Sequence, residues 1–239
     1  MAIYNGIDVS YAQGVIDWEK VKKSDVQFAI IRAGYGRLAS QKDSQFERNY
    51  SECKKHGIPC GVYWYTYAET SAEALQEAEA FLQVIKGKQF EYPIAFDIEE
   101  KDSLYRASEL CKAFCNKIEE NGYYSAIYSF KSALENNINE EIRKRYDVFL
   151  SHVDVIKSSY KGDYGIWQYS WTGRINGILG DVDLDYAYKD YPSIIKSNGL
   201  NGFKKSETES EKTETPEEPE IDTIKEILEH IKSIDKKIK

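Results

Sequence analysis

The chain has 239 residues, of which 41% are hydrophobic and 13% aromatic, with 19 Tyr, 4 Trp and a formal charge of -8. That length suits one α/β barrel of about 200–250 residues, and the acidic balance, with no basic stripe, excludes a nucleic-acid binder. No apolar run is long enough to cross a membrane, whereas neutral poly-hydroxyl substrates stay open, because ring-bearing side chains stack on sugar faces as well as filling cores.

Short β-rich runs are expected at Ala2–Val9, Phe28–Ala33, Cys60–Tyr65, Ile94–Ile98, Ala126–Tyr128, Val148–Ser151, Gly165–Tyr169 and Val182–Tyr186. Helices are expected between most of them. Ser44, Ser71 and Ser108 stand where a hydroxyl would cap the start of a helix, and Gly57, Gly87 and Gly122 where a left-handed turn would end it. Runs such as FAIIRA and PIAF are continuously apolar, as strands of a parallel sheet covered on both faces must be. The fold class expected is therefore α/β, an irregular (β/α)8-like barrel over residues 1–202. The segments between Val148 and Val182 are too short for full helices, so the helical ring should be incomplete there.

From Phe203 the composition turns to KKSETESEKTETPEEPE, which lacks the apolar surface to offset ordering entropy and reads as a linker over residues 203–220. Residues 221–239 place Ile221, Ile224, Leu228, Ile231, Ile234 and Ile238 on one stripe of an amphipathic helix too short to stand alone. Self-association is the favoured use, since Ile at both seam positions favours small oligomers, with docking on the barrel or wall targeting as alternatives. The stripe has no Trp or Phe, which speaks against a membrane surface.

Cys53, Cys60, Cys111 and Cys115 read as buried small hydrophobes. Cys111 and Cys115, at i and i+4, have no matching His or Cys pair that would complete a zinc site, so no metal and no cofactor are expected. The start, MAIYNGIDVS, has no basic n-region or apolar core of a secretory leader, and the expectation is a protein made in the cytoplasm.

In a parallel barrel, catalytic groups come from the carboxyl ends of the strands. Read in order, those ends offer Asp8, Arg32, Tyr63 with Tyr65, Asp97 with Glu99, Tyr128, His152, Trp167 with Gln168, and Asp183 with Asp185. Residues i and i+2 of a strand share a face, so Asp97 and Glu99 influence each other's ionisation. One carboxyl held protonated beside another held ionised is the division of labour that glycosidic cleavage requires. Acidic residues after a strand also cap helices or face water, but that bland reading has to be accepted separately for Asp8, Asp97, Glu99 and Asp183.

The stretches GIDVSYAQGVIDW, FAIIRAGYG, GVYWYTYA, YPIAFDIE and IWQYSWTGRINGILGDVDLDYAY together resemble the glycoside hydrolase family 25 lysozymes of phage endolysins and bacterial autolysins, over roughly residues 3–190. The resemblance implies cleavage of the β-1,4 bond between N-acetylmuramic acid and N-acetylglucosamine in peptidoglycan. It makes Glu99 the general acid and Asp97 the group assisting the substrate N-acetyl, with Asp8 and Asp183 flanking them. Tyr63, Tyr65, Tyr128, Trp167, Gln168 and Arg32 would line the glycan groove. It also implies an endolysin that waits in the cytoplasm and acts on the bacterial wall. Water attack with inversion is the alternative to substrate assistance. Trp64 stands where many members have His, and DLDYAY replaces the commoner Asp-Leu-Asn ending. Two competing readings are a barrel hydrolase using the four carboxylates to hold a divalent cation, and a cell-wall carbohydrate-binding module without turnover.

Overall fold

A computed structural model describes residues 3–205. In chain order the elements are β1 (Tyr4–Val9), α1 (Trp18–Lys22), β2 (Phe28–Tyr35), α2 (Phe46–Lys55), β3 (Cys60–Tyr65), α3 (Ser71–Ile85), β4 (Ile94–Asp97), α4 (Lys101–Leu104), α5 (Ala107–Glu120), β5 (Ser125–Phe130), α6 (Lys131–Asn136), α7 (Glu140–Arg145), β6 (Asp147–Ser151), β7 (Ile166–Gly173), β8 (Val182–Ala187) and α8 (Tyr191–Ser197). The eight strands close into one barrel in sequence order. The α/β barrel class expected from the sequence is thus observed, and no helix stands between β6 and β7 or between β7 and β8.

The expectation of an all-parallel sheet is corrected at its last strand. Strands β1 to β7 pair in parallel, but β8 runs antiparallel to both β7 and β1. The cause is the short connection from Gly173 to Val182, which has no room for the crossover helix that a parallel return needs. The first residues of β8 therefore lie at the mouth of the barrel, with Asp183 opposite Asp8, and Asp185 lies deeper, opposite Gly6. Asp185 is not at the carboxyl-end mouth where the sequence reading put it.

The helix punctuation is partly corrected. Gly57, Gly87 and Gly122 follow their helices with φ of 61°, 76° and 81°, as expected. The cap of α3 is Thr70 rather than Ser71, and its hydroxyl accepts from the Glu73 N–H. Ser108 lies inside α5, and before α2 it is Asp43, not Ser44, whose carboxylate accepts from the Gln45 N–H.

Two apolar shells hold the barrel. Between sheet and helices pack Trp18, Phe46, Trp64, Phe81, Phe96 and Phe114, with all four cysteines buried and free. Inside the barrel Phe28, Ile30, Tyr92, Ala95, Phe149, Ile166 and Ala187 fill the lower layers. Gly6 is required here, since a Cβ at that position would lie 2.1 Å from the Phe28 ring. Phe203 still packs against the interior cluster and the Asn201 amide donates to the carbonyls of Phe90 and Tyr92, so the barrel floor extends past residue 202. The tail expected as linker and amphipathic helix lies outside the described residues beyond 205. Among the described residues no helix is long and apolar enough to cross a membrane.

Candidate active site

Strand alternation sends Asp8, Arg32, Tyr63, Tyr65, Asp97, Tyr128, Gln168 and Asp183 into the upper barrel, and Glu99 follows two residues beyond Asp97. Together with Phe149 they line one cavity of about 170 Å³. Nine of the ten residues to which the resemblance gives a role thus converge. The exception is Trp167. Because its neighbour Gln168 points inward, Trp167 points outward, where it packs beside Tyr169 and Tyr186 and donates its indole N–H to the His152 carbonyl at 2.9 Å. It is a core residue of the outer shell, and so is Trp64, whose indole N–H bonds to the Gly36 carbonyl.

The carboxyls form two facing pairs. Burial raises the proton affinity of Asp97, and the neighbouring charges of Glu99 and Asp8 raise it further against the opposing pull of the Arg32 guanidinium. Glu99 is also raised by burial, with a hydrogen bond from the Asp97 carboxyl working the other way. Across the mouth, burial and then the Asp183 charge raise Asp8, while a hydrogen bond from Gln168 lowers it. Asp183 is pushed up to about 6 by burial. Two carboxyls placed side by side out of water disfavour joint ionisation, so within each pair proton affinity lies above the ordinary carboxylate range. Within the first pair Glu99 is the more open to solvent, Asp97 being only 4% exposed.

Beneath the second pair lies Asp185, fully buried, with neither carboxylate oxygen hydrogen-bonded. Burial and then the charges of Asp8 and Asp183 raise its proton affinity well above the ordinary value. An interior carboxyl without donors is held neutral.

Arg32 supplies the cavity's positive charge. Its guanidinium sits 5.6, 5.1 and 5.6 Å from the ring centres of Tyr11, Tyr35 and Tyr65, and its Nε lies 4.0 Å from Asp43. An aromatic cage of this kind holds the fork while leaving its electrostatics available to the cavity. Tyr65 in turn donates its hydroxyl to Glu100 at 2.7 Å. Two residues not singled out by sequence reasoning belong to the rim. Trp171 is 53% exposed and borders a neighbouring cleft of about 320 Å³ with Phe130, Lys131 and His152, and Tyr11 stands exposed over Arg32. A half-exposed tryptophan four residues past Trp167 was the available signal, hidden because β7 continues to Gly173 rather than ending at Tyr169. Among the described residues no group of three or more His, Cys, Asp or Glu converges to hold a metal ion.

A closed barrel whose mouth brings four carboxyls of raised proton affinity between tyrosine walls defines a barrel of the glycosidase type. The chain belongs to Glycosyl hydrolases family 25, which matches residues 7–178. It is similar to an autolytic lysozyme of Clostridium acetobutylicum, 29% identical over 182 residues that cover 75% of this chain and 54% of that protein. The chain therefore spans about half the length of that relative. Its fold matches that of the CTP1L endolysin with a TM-score of 0.74 at 24% identity, covering 81% of this chain and 70% of that one. The modular autolysin LytC of Streptococcus pneumoniae, solved with a synthetic peptidoglycan ligand, matches with a TM-score of 0.69 at 26% identity, over 78% of this chain and 47% of LytC.

Proposed function

We propose that the chain is a muramidase that hydrolyses the β-1,4 bond between N-acetylmuramic acid and N-acetylglucosamine in peptidoglycan. The observation that carries this reading is the placement of Asp97 and Glu99 together in one cavity walled by Tyr63, Tyr65 and Tyr128, where burial raises the proton affinity of both. Glu99, the more open member, takes the proton over from Asp97 and delivers it to the glycosidic oxygen as the C1–O bond breaks. Asp97, left ionised, orients the substrate's N-acetyl group, whose carbonyl oxygen closes on C1. Water then opens the resulting oxazolinium while Glu99 takes back a proton. Asp8 and Asp183 flank the reacting centre, and Arg32 and the tyrosines hold the sugars. The names borne by the autolytic lysozyme, the endolysin and LytC support a wall substrate, and the cell wall is where we place the action of this chain.

The test is release of reducing ends from purified peptidoglycan in the presence of a chelator, with mass analysis of the products and proton NMR of the first-formed anomer. Fragments ending in N-acetylmuramic acid, formed first as the β-anomer, are expected. Glucosamine reducing ends would reverse the bond assignment, an inverted α-anomer would replace substrate assistance by direct water attack, and loss of activity with the chelator would favour the cation-dependent reading.

A further inference from the structure

Gln168 is 2% exposed, and every polar atom of its side chain is spent on protein partners. Its Nε2 donates to Asp8 Oδ2 at 2.7 Å. Its Oε1 receives the Tyr128 hydroxyl at 2.8 Å, the Ser151 hydroxyl at 2.8 Å and the Trp171 indole N–H at 2.7 Å. The orientation of the amide is dictated by chemistry, because the Trp171 indole nitrogen can only donate and therefore faces Oε1, which leaves Nε2 toward Asp8. A turned amide would set N–H against N–H at Trp171 and oxygen against oxygen at Asp8. Three other strands, through Asp8, Tyr128 and Ser151, and Trp171 of the same strand thus converge on a single amide to aim one N–H at one carboxylate.

We propose that Gln168 is a positioning residue of the reaction, which acts through Asp8 by fixing its rotamer with a donated N–H, and that Trp171 locks the amide from the rim. This rests on the glycosidase reading of the cavity. Asp8 is faced by Asp183 and Asp185 from β8, Arg32 from β2, Tyr63 from β3, Asp97 and Glu99 from β4 and its end, and Tyr128 from β5, while β6 and β7 present the uncharged Ser151 and Gln168. Arg32 is the one cation among them and is already engaged by three rings and Asp43. The Gln168 amide is therefore the neutral donor that opposes the like charges around Asp8, and without it Asp8 binds its proton still more tightly.

Three variants in the full chain test this, each followed by the pH profile of reducing-end release and by melting temperature against pH. In Gln168→Leu the donor is gone. We expect kcat at pH 5 to fall about tenfold with KM held within about twofold, and the acid limb of kcat/KM to move up by about 1–2 pH units, the size of a lost hydrogen bond to a charged group. Gln168→Glu keeps the shape and can donate only while protonated, so it should exceed the Leu variant at acid pH and collapse toward neutrality. Trp171→Phe keeps a ring but loses the N–H, and should shift the limb in the same direction by a smaller amount. A direct sugar contact at Gln168 would instead raise KM in both Gln168 variants alike and leave the limb in place, which would overturn the proposal. If the wild type releases no reducing ends, the muramidase reading fails and the melting series decides alone. A deficit of Gln168→Leu that widens as pH rises through the titration of Asp8 supports the role, because the donor matters to the ionised form. A deficit that is constant with pH reduces Gln168 to packing.

Discussion

The two ends of the barrel bury polar side chains to a similar degree and treat them oppositely. At the floor, one oxygen of Asp147 receives the hydroxyls of Tyr124 at 2.9 Å and Tyr191 at 2.8 Å and the ammonium of Lys189 at 2.9 Å. Asn201, fully buried, accepts from the Tyr124 N–H and donates to two carbonyls. At the mouth, Asp97 Oδ1 and Arg32 Nε, and beneath it both oxygens of Asp185, have no hydrogen-bond partner among the described residues. Satisfied polar groups fix a structure, whereas unsatisfied ones raise its energy and leave proton affinities to be set by burial and by each other. The floor holds the barrel shut and the mouth is poised for chemistry.

That contrast can be broken most sharply at Glu99. Replacing it by Gln should lower kcat by about 10²–10⁴, the range for removal of a general acid, while the melting temperature stays level or rises. At the floor the pattern inverts. Asp147→Ala should cost roughly 2–3 kcal/mol of stability by leaving the buried Tyr191 hydroxyl, the half-buried Tyr124 hydroxyl and a lysine unpaired, with residual activity scaling only with the folded fraction, as urea unfolding would show. Lys189 is 42% exposed, which keeps this near the low end.

The raised carboxyls give the comparison a pH dependence. Asp8, Asp97, Glu99, Asp183 and Asp185 all bind protons more tightly in the folded chain than a free carboxyl does. Between the ordinary carboxylate range and their folded values the native state therefore binds the extra protons, and stability falls as pH rises. For Asp183 that window ends at about 6. Asp185→Asn should raise the melting temperature by about 3 °C or more at pH 7 and by little at pH 3, and a gap independent of pH would contradict a proton held there. The smallest effect is expected at the rim, where Trp171→Ala should raise KM for a glycan by roughly fivefold, the worth of one stacked ring of about 1 kcal/mol, beyond any shift in the acid limb.

Much of this was legible in the sequence, for physical reasons that differ from residue to residue. Apolar strand runs ending in Asp8, Asp97 and Tyr65 announced both the barrel and its mouth, because a parallel strand buried on both faces must end where its first polar side chain can reach the cavity. Alternation predicted the facing of Asp97 toward Glu99. The direction of β8 was not legible, because an apolar and acidic hexapeptide reads the same in either sense, and direction is set by the length of the preceding loop. Asp183 reached the mouth all the same, since in an antiparallel strand the first residues lie there, while Asp185 was carried inward. Trp167 misled because adjacent strand residues face opposite ways, so a motif that joins Trp to Gln can place only one of them in the cavity.

The central claim, that Glu99 delivers a proton in peptidoglycan cleavage while the barrel stands independently of it, is tested most directly by single-turnover reducing-end release for the wild type and Glu99→Gln at matched folded concentration. The wild type should release fragments ending in N-acetylmuramic acid and the variant should lose about 10² or more in rate, with both proteins melting cooperatively. Equal rates in the two proteins would contradict it.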